Sequence, residues 1–136
     1  MYEKAFSLEI IAPDKMVYQG QATSVSAPGS LGGFQILFDH APMISSLNVG
    51  PLKVKDESGQ DTVYATGGGV LEVRSNNVVV LVESAELPRD IDIQRAEAAK
   101  TRAEERLKAP DPALDVPRAE LALARALNRL RLAGES

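Results

Sequence analysis

VVVLVESAELPRDIDIQRAEAAKTRAEERL, residues 78–107, changes character in its middle. Up to Val82 it is a run of Val and Leu, β-branched and strand-forming. After Pro88 it becomes Ala with interleaved Arg and Glu, all strong helix formers, and the β-branched residues nearly vanish. The chain therefore reads as a β domain over residues 1–88 followed by a helical domain over residues 89–136.

Upstream of this change, Phe6-Ser7-Leu8-Glu9-Ile10, Leu52-Lys53-Val54-Lys55 and Leu71-Glu72-Val73-Arg74 alternate apolar with polar, the period of half-buried strands. Turn residues punctuate them at Pro13-Asp14, Gly20, Pro28-Gly29, Gly32-Gly33, Gly50-Pro51, Asp56-Glu57-Ser58-Gly59 and Ser75-Asn76-Asn77. This spacing predicts an antiparallel β-sandwich or flattened barrel of about ten short strands.

Downstream, Asp90 is placed to cap a helix running to about Lys108, with Ala96, Ala99, Ala103 and Leu107 on one stripe. Pro110, Pro112 and Pro117 forbid its continuation, and Asp115 opens a second helix of about Val116 to Ala133. Its stripe is Ala119, Leu123, Ala126, Leu130 and Ala133. Two such helices joined by a short Pro-rich link predict an antiparallel hairpin with arms of ~27 Å. An alanine seam buries about half the area of a leucine seam, so the hairpin is expected to be weakly held and able to open.

Composition narrows the function. Of 136 residues 44% are hydrophobic and 25% charged, no stretch is long and apolar enough to span a membrane, and there is no Cys and one His. Thiolate chemistry, Cys-based metal sites and paired-His metal sites are excluded. A net charge of -4 argues against a nucleic-acid partner. The charge is uneven, however: residues 1–88 carry ten carboxylates against five Lys and Arg, and residues 89–136 carry nine against ten. No signal or transit peptide is recognisable at the start.

Three groups of residues invite a chemical reading. Gly67-Gly68-Gly69 has the composition of a phosphate cradle, but no Gly-Lys follows and it sits between strands, so a bulge or close strand packing explains it better. Asp39-His40 has the residue types of an orienter and a base, as in a small hydrolytic enzyme. Adjacent loop residues seldom face each other and no nucleophile elbow occurs, so His40 reads as a structural loop residue. The arginines of the hairpin are the third group. Arg95 and Arg102 are seven apart and Arg125 and Arg129 four apart, each pair on one helix face. Folded side by side, these faces either hold an anion or form a solvated surface countered by Glu97, Glu104, Glu105 and Glu120.

At this point the sequence resembles the epsilon subunit of the bacterial F-type ATP synthase, called delta in mitochondria. Ile11-Ala12-Pro13-Asp14-Lys15-Met16-Val17-Tyr18 is similar to that family's early strand and turn. Gly33-Phe34-Gln35-Ile36-Leu37-Phe38-Asp39-His40-Ala41-Pro42-Met43 is similar to its G-x-x-G-I-L-P-x-H-A-P-L loop, with Phe38 where Pro is common and Asp39 where Gly is common. Gly67-Gly68-Gly69-Val70-Leu71-Glu72-Val73 resembles its G-G-x-x-E-V strand.

The resemblance implies a ten-stranded sandwich and a helical hairpin mounted on the rotor of a proton-translocating enzyme, without catalysis of its own. It implies contacts with the gamma subunit and the ring of c subunits, carried over to Asp39, His40, Ala41 and Pro42. Inhibition of ATP hydrolysis would come from the hairpin extending toward the alpha and beta subunits. Some members bind ATP as a regulatory ligand through an Ile/Leu-Asp-x-x-Arg-Ala motif, which Ile91-Asp92-Ile93-Gln94-Arg95-Ala96 matches at every fixed position. Glu86, Arg102, Arg125 and Arg129 resemble the remaining nucleotide-binding residues of those members. With the resemblance added, the set Glu86, Ile91, Asp92, Arg95, Ala96, Arg102, Arg125 and Arg129 is expected to bind ATP, with no cofactor required. The alternative is the same subunit whose hairpin never binds nucleotide. The implied location is the cytoplasmic face of a bacterial membrane, peripheral and not membrane-embedded; a plastid copy facing the stroma would look alike.

Overall fold

The structure, a computed structural model, describes residues 4–109 and 111–135. Pro110, one of the residues read above as stopping the first helix, lies outside them. The chain forms two compact units that divide between Leu87 and Pro88.

The first unit contains β1 (Phe6–Ala12), β2 (Lys15–Ala27), β3 (Phe34–Ile36), β4 (Met43–Asp56), β5 (Asp61–Arg74), β6 (Asn77–Val82) and β7 (Ala85–Glu86). The alternation read in β1 is real: Phe6, Leu8, Ile10 and Ala12 are buried, and the residues between them are half-exposed. The hydrogen-bonded order is β1-β6-β5-β4-β2, and β1 also pairs with β2, so five strands close a ring; β3 extends from β2 and β7 from β5. Leu8, Ile10, Val25, Leu52, Leu71 and Val80 fill its interior at 0% exposure.

Among the described residues seven strands stand where the turn residues suggested about ten. Gly20, Gly50-Pro51 and Gly67-Gly68-Gly69 do not separate strands but lie inside β2, β4 and β5, which run 13, 14 and 14 residues. A long strand that bends to follow a closed, twisted sheet uses such residues without interrupting its ladder. β1 pairs with β6 in parallel, matching Leu8 to Val78 and Ile10 to Val80. In a closed ring of five strands the directions cannot alternate throughout, so at least one pair must run parallel.

The triple glycine follows from the same geometry. Gly68 has φ +96°, and a Cβ on Gly69 would lie 2.0 Å from the Leu81 carbonyl oxygen. Gly69 faces Val82 on one side and Leu47 on the other, so close strand packing is what these positions serve.

In the second unit Pro88–Asp90 form a 3-10 turn, which packs on the later helix α2 (Val116–Glu135), and α1 spans Ile93–Lys108. The cap of α1 is Asp92, not Asp90. Asp92 is extended, at φ -80° and ψ 100°, its Oδ1 accepts from the Arg95 N–H at 3.0 Å, and its carbonyl accepts the first helical bond from Ala96. Asp90 is taken up by the turn that Pro88 begins, whose carbonyl accepts from Ile91 N–H.

The link between the helices is ordered by two aspartates. Asp111 Oδ1 accepts from Ala113 N–H at 2.8 Å, and Asp115 Oδ1 accepts from Arg118 N–H at 3.1 Å, which caps α2. Helices α1 and α2 pack on each other as an antiparallel hairpin, with Ala96 and Ala103 of α1 and Ala119, Ala126 and Leu132 of α2 buried. Ala99, Leu107, Leu123, Leu130 and Ala133 are half-buried. Small side chains let the backbones approach, and four of the five buried positions are alanine.

Candidate functional site

Two places collect the residues singled out in the sequence. In the hairpin, Ile91, Asp92, Arg95 and Ala96 form the start of α1. Ile91 and Ala96 are buried, whereas Asp92 and Arg95 are exposed. The Asp92 carboxylate is engaged with the Arg95 backbone N–H, so it fixes the first turn from which the Arg95 side chain leaves.

Arg102 follows Arg95 by two turns on the same face, ~10 Å along the axis, and is exposed. It lines an open concavity of about 500 Å³ at the bend of the hairpin. Arg106, Glu105, Asp111 and Leu114 line it as well. Arg106 was not among the residues expected from the sequence, although it stands one turn after Arg102, a spacing that places both on one face. Arg125 and Arg129 lie one turn apart on α2 and are half-buried. Of the four expected arginines, the concavity takes in Arg102 alone. Glu86 belongs to the first unit, on β7, where it pairs with Ala65 of β5 and is half-buried.

The second place is the loop Leu37–Pro42, between β3 and β4. Asp39 has φ +61°, a left-handed conformation that Asp tolerates better than most residues. Its N–H donates to Asn76 Oδ1 at 2.7 Å, and its Oδ1 accepts from Asn76 Nδ2 at 2.9 Å. The His40 N–H donates to the Leu37 carbonyl, and His40 Nδ1, in the tautomer that carries its proton there, donates to the Ala41 carbonyl at 2.8 Å. The Asp39 carboxylate is thus directed to Asn76 and His40 to the backbone, which is not the arrangement of a base and its orienter. Lys4 Nζ stands 5.2 Å from the centre of the Phe38 ring. Ala41 and Pro42 are exposed, and so is Leu37.

Outside both places, Asp56 holds the turn between β4 and β5. Its carboxyl sits below the usual aspartate range because the Ser58 hydroxyl, 2.6 Å away, and the Gln60 and Ser58 N–H groups donate to it. Burial raises the Tyr18 phenol, and the carboxylates of Asp56 and Glu57 add to the rise. Among the described residues no group of three or more His, Asp or Glu is placed to hold a metal, and no helix is long and apolar enough to cross a membrane.

Comparison with known proteins covers both units. Residues 5–88 match the beta-sandwich domain of the ATP synthase delta/epsilon chain, and residues 89–134 match the long alpha-helix domain of the same chain. A protein of Pelotomaculum thermopropionicum named ATP synthase epsilon chain is 47% identical over 135 residues, 99% of this chain and 100% of that one. A protein of the same name from Natranaerobius thermophilus is 42% identical over 134 residues, covering 98% and 95%. Among solved structures, a chain of the Euglena gracilis mitochondrial ATP synthase, described as OSCP/F1/c-ring, has a TM-score of 0.83 at 21% identity, covering 100% of this chain and 84% of that one. A chain of the Tetrahymena thermophila central stalk and c-ring has a TM-score of 0.59 at 17% identity, covering 99% and 98%. At these identities the structures establish likeness of fold.

Proposed function

The chain belongs to the delta/epsilon family of ATP synthase subunits, and from that premise we propose that it is a non-catalytic central-stalk subunit whose hairpin regulates ATP hydrolysis and binds ATP. In this reading the β unit seats the chain against the gamma subunit and the c-ring, with the loop Asp39–Pro42 at the contact. The chain works peripherally, on the cytoplasmic face of a bacterial membrane. The extended hairpin reaches the alpha and beta subunits.

The observation that carries the regulatory part is the hairpin itself: a seam of Ala96, Ala103, Ala119 and Ala126 beside helix faces that bear Arg95, Arg102, Arg125 and Arg129. A polyphosphate is a strong partner for guanidinium groups, so a ligand held by arginines of both helices acts on the same equilibrium as the seam. ATP stabilises the closed hairpin, and without it the alanine seam opens. The shift is limited to the difference in ATP affinity between the two states.

Calorimetric titration of ATP and then ADP into the full chain tests this. Saturable binding that prefers ATP, and that disappears in Arg95→Ala and in Arg125→Ala/Arg129→Ala, is the expected result. Added to the enzyme sector lacking this subunit, the double variant should also inhibit hydrolysis less, although its hairpin opens, because it removes the basic face of α2 that the extended hairpin presents to acidic segments of the catalytic subunits. Absence of heat up to millimolar ATP would refute nucleotide sensing. One observation favours the second reading, the same subunit with an unliganded hairpin: capping by Asp92 and burial of Ile91 and Ala96 explain three of the four fixed motif positions as a helix start.

A further inference from the structure

Asn76 joins three segments of the β unit that are far apart in sequence. Its side chain exchanges two hydrogen bonds with Asp39, at 2.7 and 2.9 Å, and its carbonyl accepts from the Ser7 N–H of β1 at 3.0 Å. It occupies the second central position of the two-residue turn Ser75-Asn76 between β5 and β6, where both residues have positive φ, 49° and 61°. Such a turn fixes the direction of its side chain. Asp39, itself left-handed at φ +61°, presents both its N–H and its carboxylate to that side chain.

We propose that Asn76 is a positioning residue for the loop Leu37–Pro42: the Asp39–Asn76 pair latches the loop in the shape that presents Ala41 and Pro42 outward to the partner. The inference rests on the reading of that loop as the rotor contact. The loop has no ladder of its own between Ile36 and Met43. Among the described residues its shape therefore depends on the His40–Leu37 backbone bond, the bond from His40 Nδ1 to the Ala41 carbonyl, the Lys4–Phe38 contact and the latch. Of these, only the latch ties it by hydrogen bonds to another strand pair. A loop that spends less time in its binding shape loses apparent affinity in the same proportion.

The experiment uses the full chain and the ATP synthase complex depleted of this subunit, measuring the dissociation constant of reassembly and the amide exchange of Asp39 and His40. Asn76→Asp leaves the turn conformation accessible but sets two carboxylates against each other and removes the Nδ2 donor. The double variant Asp39→Asn/Asn76→Asp restores both bonds with the roles of the side chains exchanged. Asn76→Asp is expected to weaken reassembly about tenfold and to speed loop exchange, and the double variant to return both to within about twofold of the parent. Ala41→Arg serves as the probe of the contact itself. If Ala41→Arg weakens reassembly and Asn76→Asp does not, the latch is refuted and the contact stands. If the double variant regains slow exchange but not affinity, the latch is likewise refuted. If Ala41→Arg has no effect, the loop is not a contact, and the positioning role falls with that reading.

Discussion

Asp92 can serve ATP binding in two ways, as the cap that holds the first turn of α1 or as a direct ligand contact, and the two roles can be pulled apart. In Asp92→Ala the bond from the Arg95 N–H at 3.0 Å is lost, and with it about 1 kcal/mol of helix stability. That amount corresponds to about a fivefold change in an equilibrium constant. If Asp92 acts only by holding the first turn, ATP affinity falls by at most about fivefold, since binding has to supply what the cap supplied. Asp92→Ser keeps a good capping oxygen and forgoes only the favourable placement of a negative charge at the helix start, about 0.3–1 kcal/mol. Its ATP affinity should therefore lie within a few-fold of the parent. Far-UV circular dichroism reports the helix and calorimetry the ligand. Native helicity in Asp92→Ser together with a loss of affinity well beyond tenfold would refute this reasoning and make the carboxylate a direct ligand contact.

Three further outcomes follow from the geometry. Gly69→Ala puts a methyl 2.0 Å from the Leu81 carbonyl and 2.9 Å from Val82 Cα, so β5 and β6 must separate; a loss of about 3 kcal/mol or more in urea denaturation is expected, and a neutral result would contradict the strand spacing. Ala126→Leu overfills the seam at a position 2% exposed, at a cost of about 1–3 kcal/mol; ATP binding should weaken and inhibition of hydrolysis strengthen, and tighter ATP binding would count against the switch. The folded Asp56 carboxyl titrates below the ordinary 3.8, so its turn contributes stability above that value and loses it as pH falls through the lower, folded value. The Ser58 amide shift, followed from pH 6 to 2, should show a midpoint under 3.8 that vanishes in Asp56→Asn.

The β-then-α order and the helix pair are legible because both rest on local periodicity: alternation at Phe6–Ile10, and alanines three and four apart at Ala96–Ala103 and Ala119–Ala126. Ring closure is not legible, since nothing near Leu8 signals that its neighbour is Val78. Glycines inside β2, β4 and β5 look identical to turn glycines until the curvature of the sheet is known. The choice between Asp90 and Asp92 depended on a 3-10 turn begun at Pro88, which local spacing does not reveal. Leu132 escaped the stripe counted from Ala119, although it is buried as deeply as the alanines. At the candidate sites, the arginines were visible as pairs on helix faces. The Asp39–Asn76 latch, by contrast, spans 37 residues and has no local signature.

The parallel pairing of β1 with β6 has a consequence for biosynthesis. Made first, β1 can find β2 at once across the short turn at Pro13-Asp14, but its second edge has no partner until residues 77–82 have been translated. Until then the nascent chain carries an open sheet edge, and such edges invite pairing with other chains. Closure of the ring is thereby timed to the emergence of β6, shortly before the helical segment itself is synthesised. A ribosome stalled within residues 60–75 would display an incomplete ring.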